Sequence, residues 1–112
     1  MSGMPIERVS SQAEAAKHYP IRYSVWEYEF PTSDTIEAVR FDQKYIHIEL
    51  VDERILSIPL RWIPPLRDAS PAEREKYHIS EDRTLIIWDP AESTVNEILR
   101  LSDYLSVRRP QQ

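Results

Sequence analysis

Histidine side chains and the carboxylates near them are the first residues of this sequence that could do chemistry. The three histidines are His18, His47 and His78, and no two have the spacing that places metal ligands on one helix face. His47 and Glu49 project from the same side of a predicted strand, and one further ligand would complete a metal site. Alternation in a half-buried strand also places polar residues on its exposed face, so we expect a solvated surface and no metal here. A metal-dependent enzyme centred on these two residues is the least favoured alternative.

Neighbouring carboxylates are a second possible source of chemistry. With 19 acidic residues in the chain, pairs such as Asp52-Glu53 and Glu81-Asp82 are expected by chance. Both pairs fall in predicted turns, where water keeps carboxylates ionised, whereas an acid–base pair needs shifted pKa values. We therefore interpret both pairs as solvated turn residues.

Serine nucleophiles and phosphate-binding loops are not indicated either. Ser70 is a predicted helix N-cap, and Ser57 lies in mid-strand on the side away from the apolar residues. The chain has one glycine, Gly3, and no cysteine, which excludes a glycine-rich phosphate loop, a nucleophile elbow, disulfides and thiolate metal sites. The sequence thus predicts no catalytic residue, no cofactor and no small-molecule ligand, and we do not expect an enzyme.

Three arginines close to a tryptophan raise the possibility of nucleic-acid binding. Arg61, Arg67 and Arg74 lie near Trp62, and arginine with an aromatic ring can clamp a backbone and stack a base. Acidic neighbours of Arg67 and Arg74 would neutralise such a patch, and the net charge of the chain is −5. Nucleic acid is therefore not the expected partner.

The number of aromatic residues favours a protein partner. With Trp 3, Tyr 6 and Phe 2, several aromatic rings of so small a chain must be exposed, where they are typical contact residues. The leading hypothesis is a non-enzymatic module that docks a protein partner, and a self-associating homo-oligomer is the alternative. Whether Trp26 and Tyr28 pack in the core is left open by their pattern. The candidate partner-binding residues are Trp26, Tyr28, Arg61, Trp62, Arg67 and Arg74.

Length and composition predict one small domain. The chain has 112 residues, of which 41% are hydrophobic and 29% charged. We expect residues 1–20 to form a tail or a short helix, residues 21–106 a single domain and residues 107–112 a tail. No stretch is apolar enough for a signal peptide or a membrane span, so a cytoplasmic protein is expected.

The clearest structural signal is a hairpin of two alternating strands. Its apolar members, which should line one buried face, are Ile46, Ile48, Leu50, Leu56, Ile58 and Leu60. Pairing Leu50 with Leu56 and Ile48 with Ile58 leaves residues 52–54 as a three-residue loop. Its last residue would then be left-handed, and a five-residue loop in the same register would avoid that strain.

The remaining segments complete the predicted order of elements. Residues 21–30 and 35–41 are typical of strands. Pro59 lies in the second strand of the hairpin and places that strand at a sheet edge, because proline cannot donate to a ladder. A capping box at Ser70 predicts a helix over residues 71–77. Beyond it, a strand ends at Trp88 in the core, and apolar spacing predicts a C-terminal helix over residues 93–104.

These elements predict an α+β fold. We expect two layers, an antiparallel β-meander with two short helices packed on one face, in the order β-β-β-β-α-β-α. A capping box at Ser11 adds a possible N-terminal helix that ends at about His18.

Four motifs follow one another between residues 36 and 101. They are AVRFD at 38–42, ILSIPLRWIPPL at 55–66, ASPAEREKY at 69–77 and IIW at 86–88. In this order they resemble the motifs of a bacterial family of domains of unknown function, number 2442. The Asp-Gly turn of that family is Asp42-Gln43 here, and its acidic run after the last strand is shorter.

The resemblance implies a small α+β domain without established catalysis. Members of the family often lie beside a second small protein, in an arrangement that looks like a toxin–antitoxin pair. By that analogy this acidic chain would be the antitoxin-like, neutralising partner of a small toxin-like protein.

Overall fold

A computed structural model describes residue 20 and residues 22–107 of the protein. The chain divides into two compact units, Met1–Phe30 and Pro31–Gln112. The expected helix that ends at about His18 and most of the expected C-terminal tail lie outside the described residues. The expected domain bounds, 21–106, stay a prediction.

The first unit has no strand among its described residues, which corrects the strand expected over residues 21–30. A 3-10 helix spans Val25–Glu27, and the backbone is extended again at Tyr28, with φ −94° and ψ 155°. Every described side chain of residues 22–30 is exposed. The alternation that predicted a strand is present, but the described residues of this unit include no second strand to accept its hydrogen bonds, and an unpaired strand is not stable.

The second unit consists, within its described residues, of two three-stranded antiparallel sheets and two one-turn helices. Its elements are β1 Ile36–Phe41, β2 Tyr45–Leu50, β3 Ile55–Pro59, a 3-10 helix Leu60–Trp62, α1 Pro64–Arg67, α2 Pro71–Arg74, β4 His78–Ile79, β5 Leu85–Trp88, β6 Glu97–Arg100 and a 3-10 helix Leu101–Asp103. The strand orders are β1-β2-β3 and β4-β5-β6. The expected α+β fold of antiparallel strands and short helices is confirmed.

The β2–β3 hairpin buries the expected apolar face in a register that differs from the expected one by two residues. Ile48 pairs with Leu56 rather than with Ile58. The loop has three residues, as expected, but it comprises residues 51–53, and Glu53 has the positive φ, 81°. Because side chains alternate with a period of two, a shift of two residues keeps every side chain on its expected face.

Asp52 organises this loop, which corrects its interpretation as a solvated residue. Its side chain is only 7% exposed and accepts hydrogen bonds from the backbone N–H groups of Thr32 and Ser33 and from Arg54 Nε. Arg54 holds the pKa of this carboxyl well below its usual range. The contacts of Asp52 with the segment before β1 therefore favour the observed loop over the expected one.

Strand β6 replaces the helix that was expected over residues 93–104. It pairs antiparallel with β5. Val95, Leu99 and Leu101 are buried at even spacings, whereas Ile98 is exposed. The helical interpretation needed Ile98 and Leu99 on one face, and pairing with β5 separates them onto opposite faces.

Helix α2 begins where the capping box predicts. Ser70 Oγ accepts a hydrogen bond from Glu73 N at 3.3 Å, and Pro71 occupies the first helical position. The helix ends at Arg74, three residues earlier than expected, because the chain then enters β4. Among the described residues, no helix is long and apolar enough to cross a membrane.

Both sheets and the connection between them enclose one hydrophobic core. Its buried members are Ile36, Ile46, Ile48, Leu50, Ile58, Leu60, Ile63, Leu66, Ile86, Trp88, Val95, Leu99 and Leu101. Trp88 is buried as predicted, and its indole Nε1 donates to the Arg74 carbonyl at 2.9 Å. The second layer was expected to consist of helices alone. It instead contains the β4-β5-β6 sheet together with the helical connection.

The two edges of the first sheet differ in what occupies them. At β1, the Arg83 guanidinium donates to the carbonyls of Ile36 and Glu37, and the Tyr77 hydroxyl donates to the Val39 carbonyl. At β3, which is an edge strand as Pro59 predicted, the register directs the backbone groups of residues 55 and 57 away from β2. The described residues therefore occupy the β1 edge and leave the β3 edge open.

Candidate functional site

The aromatic segment, which we define as residues 22–30, is the most exposed apolar feature of the first unit. It presents five large apolar side chains that are each more than half exposed: Tyr23, Val25, Trp26, Tyr28 and Phe30. Trp26 is 89% exposed, which places this candidate residue and its neighbour Tyr28 on the surface of their unit rather than in a core.

In the second unit, Arg61 and Trp62 lie in the 3-10 helix that follows β3. Leu60 is buried and anchors this turn, whereas Arg61 and Trp62 are exposed. Trp62, which is 55% exposed, borders a shallow groove of about 430 Å³ whose other wall is residues 103–107. We call this cavity the Trp62 groove.

The far wall of the Trp62 groove was missed by the sequence analysis. It contains Tyr104, Leu105 and Val107, which give the groove its apolar character. The expected C-terminal helix ended at residue 104, so nothing placed these side chains opposite Trp62. The apolar residues after position 103 were the only signal in the sequence.

Arg67 and Arg74 have structural contacts instead of a shared basic surface. Arg67 forms an ion pair with Asp68, with Nε 2.8 Å from Oδ1, which neutralises it as its acidic neighbours predicted. Arg74 Nε donates to the Leu66 carbonyl at 2.8 Å, and Arg74 Nη2 donates to the Arg67 carbonyl at 3.2 Å. These bonds satisfy carbonyls at the end of α1. Arg74 thus contributes to the fold, and its part in partner binding stays a prediction.

A row of polar side chains crosses the outer face of the first sheet. Arg40, His47 and Ser57 oppose one another on β1, β2 and β3. His47 Nδ1 is 2.6 Å from Ser57 Oγ, and His47 Nε2 is 2.7 Å from Asp42 Oδ2. The expected register paired position 47 with position 59, and the two-residue shift is why this contact was not anticipated.

Hydrogen bonds keep the Asp42 carboxyl beside this row ionised. His47 lowers the pKa of Asp42 to about 2, with further lowering by the backbone N–H groups of Lys44 and Tyr45. Elsewhere in the second unit, Glu92 lies 2.6 Å from His78 Nε2 and raises the pKa of that imidazole. Both histidines are therefore bound to carboxylates, but only His47 also contacts a serine hydroxyl.

His47 and Glu49 share the outer face of the sheet, as the alternation predicted. Both line a small cavity of about 60 Å³. Among the described residues, no group of three or more His, Cys, Asp or Glu side chains is arranged to hold a metal ion. The imidazole nitrogens of His47 are instead engaged with Ser57 and Asp42.

The fold defines a class of small α+β domains that have two antiparallel meanders around one core and an exposed aromatic turn after the first meander. The family model described as "Protein of unknown function (DUF2442)" matches residues 36–102. This match covers more than half of the chain, and the protein therefore belongs to that family. No curated protein and no solved structure matches the chain.

Proposed function

We propose that the protein is a non-enzymatic, cytoplasmic binding module that docks a small basic protein through the aromatic segment. The observation that carries this proposal is the exposure of five large apolar side chains within residues 23–30. Burial of apolar surface stabilises an interface by about 25 cal/mol per Å², and Trp and Tyr are the residues that most often dominate binding energy.

The charge of the chain supports a basic partner. Its net charge is −5, and within the aromatic segment Glu27 and Glu29 alternate with Tyr28 and Phe30. Neither glutamate has an ion-pair partner among the described residues. A partner that carries lysine or arginine beside an apolar groove would complement both features, and opposite charges would also accelerate association.

The analogy that the family resemblance implies supports a more specific form of this proposal. In that form the basic partner is a toxin-like protein, and docking of the aromatic segment neutralises it. This step rests on the analogy of neighbouring proteins and not on a site.

Self-association is the second candidate, and the open edge of β3 favours it. Ile55 is 59% exposed, and the backbone groups of residues 55 and 57 point away from the sheet. A second copy could pair there in antiparallel orientation. Pro59 would limit the pairing, because it has no N–H to donate.

Photo-crosslinking in living cells that produce the protein tests the main proposal. A photoreactive amino acid is placed at position 26, and a matched control carries it at position 81, in the exposed turn after β4. We expect one basic protein to crosslink from position 26 and not from position 81. The partner is then purified and its affinity for the full chain is measured by calorimetry.

Variants of the purified chain then assign the surface. The double variant Trp26→Ala, Tyr28→Ala should weaken binding at least tenfold, whereas Ile98→Ala, which removes a large exposed apolar side chain on β6, should not. Affinity should also fall as salt rises. Equal crosslinking from both positions, or a partner whose binding is indifferent to the double variant, would contradict the proposal.

Light scattering distinguishes the second candidate. A dimer that becomes monomeric in Ile55→Lys, which places a charge at the β3 edge, would support self-association. A monomer at high protein concentration would exclude it.

A further inference from the structure

Ser57, His47 and Asp42 form a hydrogen-bonded relay on the exposed face of the first sheet. The distance from Ser57 Oγ to His47 Nδ1 is 2.6 Å, and that from His47 Nε2 to Asp42 Oδ2 is 2.7 Å. An ionised carboxylate can only accept, so the neutral imidazole carries its proton on Nε2 and its Nδ1 accepts the proton of the serine hydroxyl. A nucleophile, a base and a group that orients the base are thus connected in the order that activates serine.

The relay is held in place from both ends. Asp42 Oδ1 accepts from the backbone N–H groups of Lys44 and Tyr45 at 2.8 Å and 2.7 Å, which fixes the carboxylate in the β1–β2 turn. The side chain of His47 is only 14% exposed, whereas Ser57 is exposed. The base is therefore shielded from bulk water while the nucleophile stays accessible to a reagent.

Two further groups lie where an acyl transfer would need them. The backbone N–H of Ser57 points out of the open β3 edge, so it is available to donate to an oxyanion that forms at this residue. Arg40 lies opposite His47, lines the adjoining cavity of about 60 Å³ and has no ion-pair partner among the described residues. A guanidinium there would attract a phosphate, and so small a cavity admits only a short acyl chain.

We infer that Ser57 is an acylation site that takes a short acyl group, such as acetyl, from an acyl phosphate. Ser57 Oγ attacks the carbonyl carbon, and a new C–O bond to the serine forms while the bond from that carbon to the phosphate oxygen breaks. The hydroxyl proton passes to His47 Nδ1 and then to the departing phosphate, so that the products are an O-acylserine and inorganic phosphate.

The inferred reaction is a stoichiometric modification and does not depend on the proposed binding function. Its residues lie on β1, β2 and β3 and in their connections, whereas the proposed docking segment is residues 22–30. A result that contradicts one proposal therefore does not contradict the other.

Incubation of the full chain with acetyl phosphate, followed by peptide mass spectrometry, tests the inference. We expect one acetyl group on Ser57 that hydroxylamine releases, as it releases esters. Acetylation of lysines by the same reagent serves as an internal reference. Ser80, whose hydroxyl contacts the Asp82 carboxylate but no imidazole, should stay unmodified.

Variants of the base provide the main comparison. His47→Gln should lower acetylation of Ser57 at least tenfold relative to lysine acetylation, because general base assistance typically contributes about 10²–10⁴ in rate. His78→Gln is the matched control, since His78 has a carboxylate partner but no serine. Circular dichroism checks that each variant is folded.

Asp42→Asn separates positioning of the imidazole from simple folding. The amide oxygen can still cap the β1–β2 turn, but its NH₂ group would donate to His47 Nε2 and move the ring proton to Nδ1. Nδ1 could then no longer accept from Ser57, and acetylation should fall as it does in His47→Gln while circular dichroism shows that the variant is still folded.

The role of Arg40 is tested with two acyl donors. Arg40→Gln should slow acetylation by acetyl phosphate severalfold more than acetylation by the neutral ester p-nitrophenyl acetate, because only the first donor carries a phosphate for the guanidinium to attract. The inference is overturned if wild-type Ser57 remains unmodified by both donors, or if its modification is the same in His47→Gln as in the wild type.

Discussion

Arg67 and Arg74 lie seven positions apart and make contacts of very different consequence. Arg67 pairs with the adjacent Asp68 on the surface, where water competes with the ion pair. Arg74 is half-buried and donates to two backbone carbonyls at the end of α1. A four-residue helix has few bonds of its own, so the carbonyls that Arg74 satisfies matter more than a surface charge pair.

This difference predicts unequal effects of removing the two side chains. Arg74→Ala should lower the free energy of unfolding by about 1–3 kcal/mol, because it removes two hydrogen bonds from a charged donor to backbone carbonyls, one of them part-buried. Arg67→Ala, the matched control, should leave it unchanged within error. Urea denaturation measures both, and equal losses in the two variants would contradict the assigned roles.

At the scale of elements, two connections between strands contain a residue with positive φ that is not glycine. They are Glu53, with φ 81°, in the β2–β3 loop and Arg83, with φ 61°, between β4 and β5. Side chains with a Cβ are disfavoured in this region. The Arg83 side chain offsets that cost through its bonds to β1, whereas Glu53 is exposed and makes no such contact in the described structure.

Glycine substitution should therefore have opposite effects in the two connections. Glu53→Gly should raise the free energy of unfolding by about 0.5–1 kcal/mol, since it removes conformational strain without losing a contact. Arg83→Gly should lower it, since the guanidinium that occupies the β1 edge is lost. Thermal and urea denaturation test the pair, and a change of the same sign in both would refute this explanation.

For the whole molecule, several carboxylates of the second unit have lowered pKa values because they accept hydrogen bonds in the fold. Hydrogen bonds from His47 and Lys76, respectively, bring the pKa of Asp42 and of Glu73 to about 2, from ordinary values of 3.8 and 4.5. Asp52 and Asp82 are shifted in the same direction. Groups with lowered pKa values stabilise the fold above their unfolded pKa and cease to do so as pH falls through the folded one.

Stability should consequently fall as the pH is lowered from about 4.5 to about 2. His78 acts in the opposite sense: its raised pKa contributes stability below its ordinary value of 6.5, and this contribution is lost as pH rises through the folded value. Urea midpoints measured from pH 2 to pH 8 test both trends. In the double variant Asp42→Asn, Glu73→Gln, the urea midpoint should fall less steeply as the pH is lowered from about 4.5 to about 2. A decrease as steep as that of the wild type would contradict the assignment.

The sequence predicted single residues of the candidate sites but not the contacts between them. Exposed aromatics and the use of Trp88 in the core follow from composition and alternation. The relay of Ser57, His47 and Asp42 depends on which residues face each other across two strands, and a register error of two residues was enough to hide it. The Trp62 groove likewise needs the path of residues 103–107, which the expected helix obscured.

The sequence by itself determined the family, the α+β class, the buried faces of β2 and β3, the edge position of β3 and the start of α2. Each of these depends on local pattern: alternation, a proline without a donor, or a capping box. Only the tertiary structure decided that residues 97–100 pair with β5, that the hairpin loop lies at residues 51–53, and that residues 25–27 form a turn instead of a strand. Those outcomes depend on whether a neighbouring strand or a buried carboxylate is present to take up backbone hydrogen bonds, which no local pattern specifies.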